Sequence, residues 1–143
     1  VGVLHDFDFE MHPNPEEHPV KGADILRERG VPEDIVYAVL CHADYLGLDR
    51  KTPMDRAIYA VDELTGFITA VALVRPSKSL AEVDVAAVRK KMKDKGFARA
   101  VNREDITRGA DQLGIDLDEH IAFVIESLKP VASTLGIAGT PAG

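Results

Sequence analysis

Tryptophan is absent from these 143 residues, and there are only three tyrosines and five phenylalanines, so any core must be built mainly from aliphatic side chains. The single cysteine, Cys41, excludes an internal disulfide and fits a reducing, cytoplasmic setting. Positive charge is the minority: 17 Lys and Arg against 24 Asp and Glu leave a net charge of -7. That balance argues against nonspecific binding to nucleic acid or to an anionic membrane. No long uninterrupted apolar run exists. The longest, Ala57 to Val74, carries Asp62 and Glu63 inside it, which is incompatible with a membrane-spanning helix. Val1 to Leu4 is too short for the apolar core of a signal peptide and has no basic lead-in. Turn signals flanked by alternating hydrophobics are also missing, as is any internal repeat, so hairpins and solenoids are not expected.

What is present reads as helices. The prolines of Asp8 to Glu17 mark a loop, and a helix is predicted from Pro15 to about Arg29, closed by Gly30. Pro32 opens a second helix that reaches about Asp44, before a turn at Gly47. Thr52 as N-cap and Pro53 at the first position start a third, apolar nearly all round from Ala57 to Val74 and therefore expected to be central and buried. Leu80 to Asp94 sets Val85, Val88 and Met92 against Arg89, Lys90, Lys91 and Lys93. Asn102 caps a helix over Arg103 to Leu113 that Gly114 ends, and Asp116 caps the last, with Leu117, Ile121, Val124, Ile125 and Leu128 as its stripe. The expected fold is all-α, one helical domain over residues 1–132, with a small-residue tail at 133–143 expected to fray.

Several metal-type side chains interrupt this pattern. His5 and Asp6 are adjacent after a short apolar run and offer an imidazole nitrogen and a carboxylate, which suit a divalent ion. His18 is predicted to share a helix face with Gly22, Ile25 and Leu26, a helix-capping or surface histidine being the plainer reading. Gly22 costs about 1 kcal/mol against alanine inside a helix, which close approach of a neighbour beside His18 would justify. His42 falls on the inward stripe of its helix, where a histidine bonded to a carbonyl is the commoner explanation; Cys41 beside it reads as a small buried hydrophobe. Asp62 stands in the middle of the most apolar helix, so it needs a metal or a basic partner, and Thr65 is placed to support it.

The order of these residues resembles the HD-domain superfamily of metal-dependent phosphohydrolases. The matching text is Gly2-Val3-Leu4-His5-Asp6, then His18-Pro19-Val20-Lys21-Gly22-Ala23-Asp24-Ile25-Leu26, then Cys41-His42-Ala43-Asp44, and Ala60-Val61-Asp62-Glu63-Leu64. The run from Asp62 through Arg75-Pro76-Ser77-Lys78 further looks like small stand-alone bacterial and archaeal members. The resemblance implies an HD-like helical bundle in which His5, Asp6 and Asp62 bind a principal divalent metal (Mn, Fe, Mg, Ni and Zn are not distinguished) and Asp6 bridges to a second ion. His18 and His42 then complete the second position or bind the substrate phosphate. Two departures stand out: the superfamily's first histidine, on a helix before the His-Asp pair, has no counterpart, so an N-terminal helix is expected to be missing. Where many members continue with Ile-Gly-Lys, this chain has Phe7-Asp8-Phe9.

The implied activity is hydrolysis of a small phosphomonoester or phosphodiester, nucleotide-like, by a metal-activated water, with Asp6 orienting that water and Arg75 and Lys78 facing the phosphate. A homo-oligomer is compatible with this reading. The competing expectation is a non-catalytic helical module that binds a metal or nucleotide in signalling or assembly. A structural zinc domain is a weaker third, since such sites favour cysteine.

Overall fold

Aliphatic spacing and the Thr, Asp and Asn caps dictate helices, and the computed structural model, which describes residues 1–140, contains six of them: α1 (Val20–Glu28), α2 (Glu33–Cys41), α3 (Pro53–Leu73), α4 (Val85–Lys93), α5 (Arg103–Leu113) and α6 (Leu117–Leu128). Three single 3-10 turns join them, and among the described residues the only β pairing is an isolated bridge between Ser79 and Ala138. The fold is all-α. Among the described residues no helix is long and apolar enough to cross a membrane. The chain divides into two compact units, Val1–Tyr59 and Ala60–Gly143, where one domain over 1–132 is expected; the boundary falls inside α3. Two separate apolar clusters explain the division.

In the first unit, Ala23 and Leu26 of α1 meet Val36 and Val39 of α2, and Val1, Leu4 and Phe7 pack against them. Those three recur every third residue along successive turns, held by bonds such as Leu4 N–H to the Val1 carbonyl (2.8 Å) and Phe9 N–H to the Asp6 carbonyl (3.0 Å). The turns therefore bury one edge while His5 and Asp6 project from between the anchors, and Asp8, just past Phe7, is fully buried. Helix α1 begins at Val20, five residues later than predicted. Pro19 has no N–H to donate and disfavours helical backbone at His18, while Asn14 and Glu17 close a turn of their own (Glu17 N–H to Asn14 Oδ1, 3.1 Å). Gly30, at φ +75°, ends α1 as predicted, with Val31 N–H reaching back to the Leu26 carbonyl (3.0 Å).

Helix α2 stops at Cys41 rather than Asp44, leaving His42 at its C-cap. Arg50 secures this end: its Nε donates to the Cys41 carbonyl (2.9 Å), its Nη2 to Asp44 Oδ1 (3.0 Å), and its guanidinium lies 3.3 Å over the Tyr59 ring. Thr52 caps α3 as expected, and Asp55 reciprocates. Thr52 Oγ1 accepts from Asp55 N–H (3.2 Å), while Asp55 Oδ2 accepts from Thr52 N–H (2.8 Å).

The second unit packs Leu64, Phe67, Ile68 and Val71 of α3 against Val88, Ile106, Ile121, Val124 and Ile125. Each such buried side chain contributes about 1.5–3 kcal/mol of transfer free energy. Helix α3 is not apolar all round: Gly66 and Leu73 are exposed and Asp62 and Glu63 half-buried, so one edge meets water. The Leu80–Asp94 stretch is a 3-10 turn, Leu80–Glu82, followed by α4, because Asp84 caps a fresh start by accepting from Ala87 N–H. Asn102 and Asp116 cap α5 and α6, and Gly114 (φ +70°) separates them, all as predicted. Gly109 lets α5 approach α3: a Cβ there would lie 2.6 Å from Ala60 Cα. The expected frayed tail is held through Thr140, since Ile137 is fully buried and its carbonyl accepts from Leu80 N–H (2.7 Å). Residues 141–143 of that expectation lie outside the described residues.

Candidate metal centre

Within the first unit, the expected metal ligands His5, Asp6, His18 and His42 come together. Each histidine has Nδ1 on an acceptor. His5 donates to the Gly2 carbonyl (2.8 Å), His42 to the Val39 carbonyl, and His18 to Asp8 Oδ1 (2.9 Å). A carbonyl or carboxylate oxygen only accepts, so Nδ1 carries a proton in all three rings and Nε2 is the nitrogen left to bind a further proton or a metal ion.

Those three Nε2 atoms converge on Asp6. His18 Nε2 is 3.2 Å and His42 Nε2 3.4 Å from Asp6 Oδ1, the two Nε2 atoms are 3.2 Å apart, and His5 Nε2 is 3.4 Å from Asp6 Oδ2. Three imidazole nitrogens and a carboxylate at such distances need a proton or a cation among them. Asp6, His18 and His42 form a group able to hold a metal ion. Their mutual spacing fits the chemistry: ligand atoms about 2.0–2.2 Å from a common ion sit roughly 3.0–3.5 Å from each other. The two Asp6 oxygens address different partners, Oδ1 towards His18 and His42 and Oδ2 towards His5.

His18 does not lie on a helix face with Gly22 and Leu26; it precedes α1, and the His18–Pro19 peptide is cis. The residue that completes its surroundings is Asp8, fully buried and hydrogen-bonded by His18 and by the Gly22 amide (3.0 Å to Oδ2). Sequence reading places Asp8 in a loop and misses it. The signal was the helical Gly22: a Cβ there would stand 2.5 Å from Asp8 Cγ. His42 bonds a carbonyl through one nitrogen, the commoner of its two expectations, and faces Asp6 with the other. Cys41 is a buried hydrophobe whose thiol burial pushes upward in pKa.

The rim is aromatic. Phe9 sets its ring edge-on to His18 (centroids 5.3 Å apart), and the Tyr45 hydroxyl donates to the His18 carbonyl (2.6 Å). Burial, then the Asp8 and Asp6 carboxylates, hold the Tyr45 phenol above its ordinary pKa.

The remaining expected residues belong to the second unit. Asp62 lies half-buried on α3, and the Thr65 hydroxyl donates to its main-chain carbonyl (2.9 Å) rather than to the carboxylate, the usual back-bond of a helical threonine. Next to it, burial and then the Asp62 charge raise the Glu63 pKa. Arg75 is half-buried just beyond α3, and Lys78 is exposed at φ +49°. His120, also in this unit, is a core histidine whose Nε2 donates to the Ala60 carbonyl (2.9 Å). No family model, curated protein or solved structure matches the chain.

Proposed function

We propose that the chain is a metal-dependent phosphohydrolase acting on a small phosphomonoester or phosphodiester of nucleotide type. The observation that carries this reading is the convergence of three Nε2 atoms on the two oxygens of Asp6. Fully buried Asp8 adds a second negative charge whose partners are an imidazole and an amide. Such a charge balance favours a divalent cation over a purely structural polar cluster.

His18, His42 and Asp6 Oδ1 would hold one ion, and His5 and Asp6 Oδ2 would contribute to a second. A divalent cation supplies charge withdrawal from phosphoryl oxygens and acidity to water. The chain's own part is positional. Asp6, 55% exposed in its side chain where His18 and His42 are 7%, is the member of the group open to solvent. It accepts a hydrogen bond from the attacking water and so fixes its direction. The half-exposed Phe9 and Tyr45 rings shield the approach and favour a substrate with an apolar or aromatic portion.

The test is hydrolysis of a panel of nucleoside monophosphates, cyclic nucleotides and simple phosphate esters with Mn2+, comparing the native chain with Asp6→Ala. Turnover of at least one ester, lost in Asp6→Ala, is expected. Equal turnover by both proteins, or none by either despite stoichiometric Mn2+ uptake, refutes the catalytic assignment.

A further inference from the structure

We propose that Asp8 is a positioning residue of this centre: clamped by the Gly22 amide, its carboxylate locks the tautomer and direction of His18, and Gly22 is glycine because the carboxylate occupies the place of its side chain. The inference rests on the metal-centre reading and concerns a residue that the His-Asp pattern does not include.

Helix α1 starts with a proline N-cap that makes no side-chain capping bond. The Gly22 N–H is one of the donors that a helix start leaves without an internal partner. Asp8 supplies the missing acceptor from fourteen residues upstream, where the helix dipole also favours its charge. Its other oxygen takes the Nδ1–H of His18. One buried carboxylate therefore serves two donors at once, and a carboxylate is required because both oxygens must accept. An asparagine offers a single acceptor. With its oxygen on the Gly22 amide, its NH2 donates to His18 Nδ1 and moves the imidazole proton to Nε2, the atom aimed at the cation. With its oxygen on His18, two N–H donors collide at Gly22. Either outcome loosens the ligand, and partners of metal-bound histidines of this kind are typically worth a factor of roughly 10–100 in affinity.

Gly22→Ala reaches the same carboxylate from the other side, since all three of its terminal atoms would lie 2.5–2.7 Å from the new Cβ. The two positions are thus predicted to be non-additive. Mn2+ titrations by calorimetry are made on the native chain, Asp8→Asn, Gly22→Ala, Asp8→Ala and the Asp8→Ala/Gly22→Ala double variant, with far-UV circular dichroism confirming helical content. The visible spectrum of the Co2+-loaded native chain and of Asp8→Asn reports the ligand field directly.

Asp8→Asn and Gly22→Ala should each weaken Mn2+ binding roughly 10–100-fold, and Asp8→Asn should alter the Co2+ bands. Adding Gly22→Ala to Asp8→Ala should change affinity less than about twofold, no more than ordinary scatter, because the carboxylate that the new Cβ would meet is then gone. Native affinity in Asp8→Asn, or a Gly22→Ala penalty undiminished in the Asp8→Ala background, overturns the role of Asp8. Absence of Mn2+ binding by the native chain instead overturns the metal centre itself.

Discussion

Replacing Asp6 by asparagine should separate what this cluster costs the empty protein from what it gives the loaded one. Without metal, the Asp6 carboxylate faces Nε2 of His5, His18 and His42 at 3.2–3.4 Å. The asparagine side chain has nearly the same shape but carries an NH2 group, which can donate to an Nε2 that holds no proton. Each new hydrogen bond is worth about 0.5–1.5 kcal/mol net. In EDTA at pH 8, Asp6→Asn should melt at the same temperature as the native chain or a few degrees higher. With Mn2+ the order should reverse. A ligand at about 100 times its dissociation constant stabilises the folded state by about 2.7 kcal/mol. At a few degrees per kcal/mol for a chain of this size, the native protein should gain on the order of 10 °C. Asp6→Asn should gain little, having lost the charged, two-sided ligand. The assay is a pair of melting curves per protein, in EDTA and in saturating Mn2+. An Asp6→Asn protein that melts lower than the native chain in EDTA, and rises equally with Mn2+, would refute the reasoning: Asp6 would then be an ordinary structural acid.

Two further predictions concern the second unit. Gly109→Ala drives a Cβ to 2.6 Å from Ala60 Cα, main chain that cannot rotate away, and should cost about 1–3 kcal/mol, read as a lower urea midpoint at unchanged slope. Glu63 binds its proton more tightly in the folded chain than its ordinary value near 4.5, through burial and then Asp62. Stability should therefore fall as pH rises from about that value through the raised folded one, and remain lower above it. Glu63→Gln should be more stable than the native chain at pH 7.5 and should lose that advantage at pH 4; an advantage that grows on acidification would contradict the sign.

Helices with strong end signals were legible: Thr52-Pro53, Asn102, Gly114 and Asp116 mark boundaries that local hydrogen bonding alone enforces. Boundaries set by breaks just before a run, or by residues further along, were not. Helix α1 starts late because of Pro19 and the Asn14–Glu17 turn, and α2 ends early because Arg50, nine residues on from Cys41, captures its carbonyl. Of the candidate site, His5, Asp6, His18 and His42 could be named because metal ligands are of few types. Asp8 could not, since in one dimension it is an acid in a proline-rich loop, and only the Gly22 clearance reveals its burial. The apolar run of α3 likewise suggested a helix surrounded by protein, whereas Gly66 and Leu73 are exposed and Asp62 and Glu63 only half-buried, which composition along one helix does not show. The division at Tyr59 was invisible because it falls within one uninterrupted helix.

The three histidine anchors differ in reach. His5 and His42 each bond a carbonyl three residues back, so their rings are oriented by their own turn of chain. His18 depends on Asp8, ten residues away and carried by the opening turns of the chain. Two of the imidazoles are thus oriented by local turns alone, and the third only where residues 1–11 lie against α1 and α2. A cation bound to Asp6 and His18 would act as a clasp across that seam. Removing it with a chelator should free the opening turns first, so protease cleavage and amide exchange in residues 1–11 would report metal occupancy long before the helices melt.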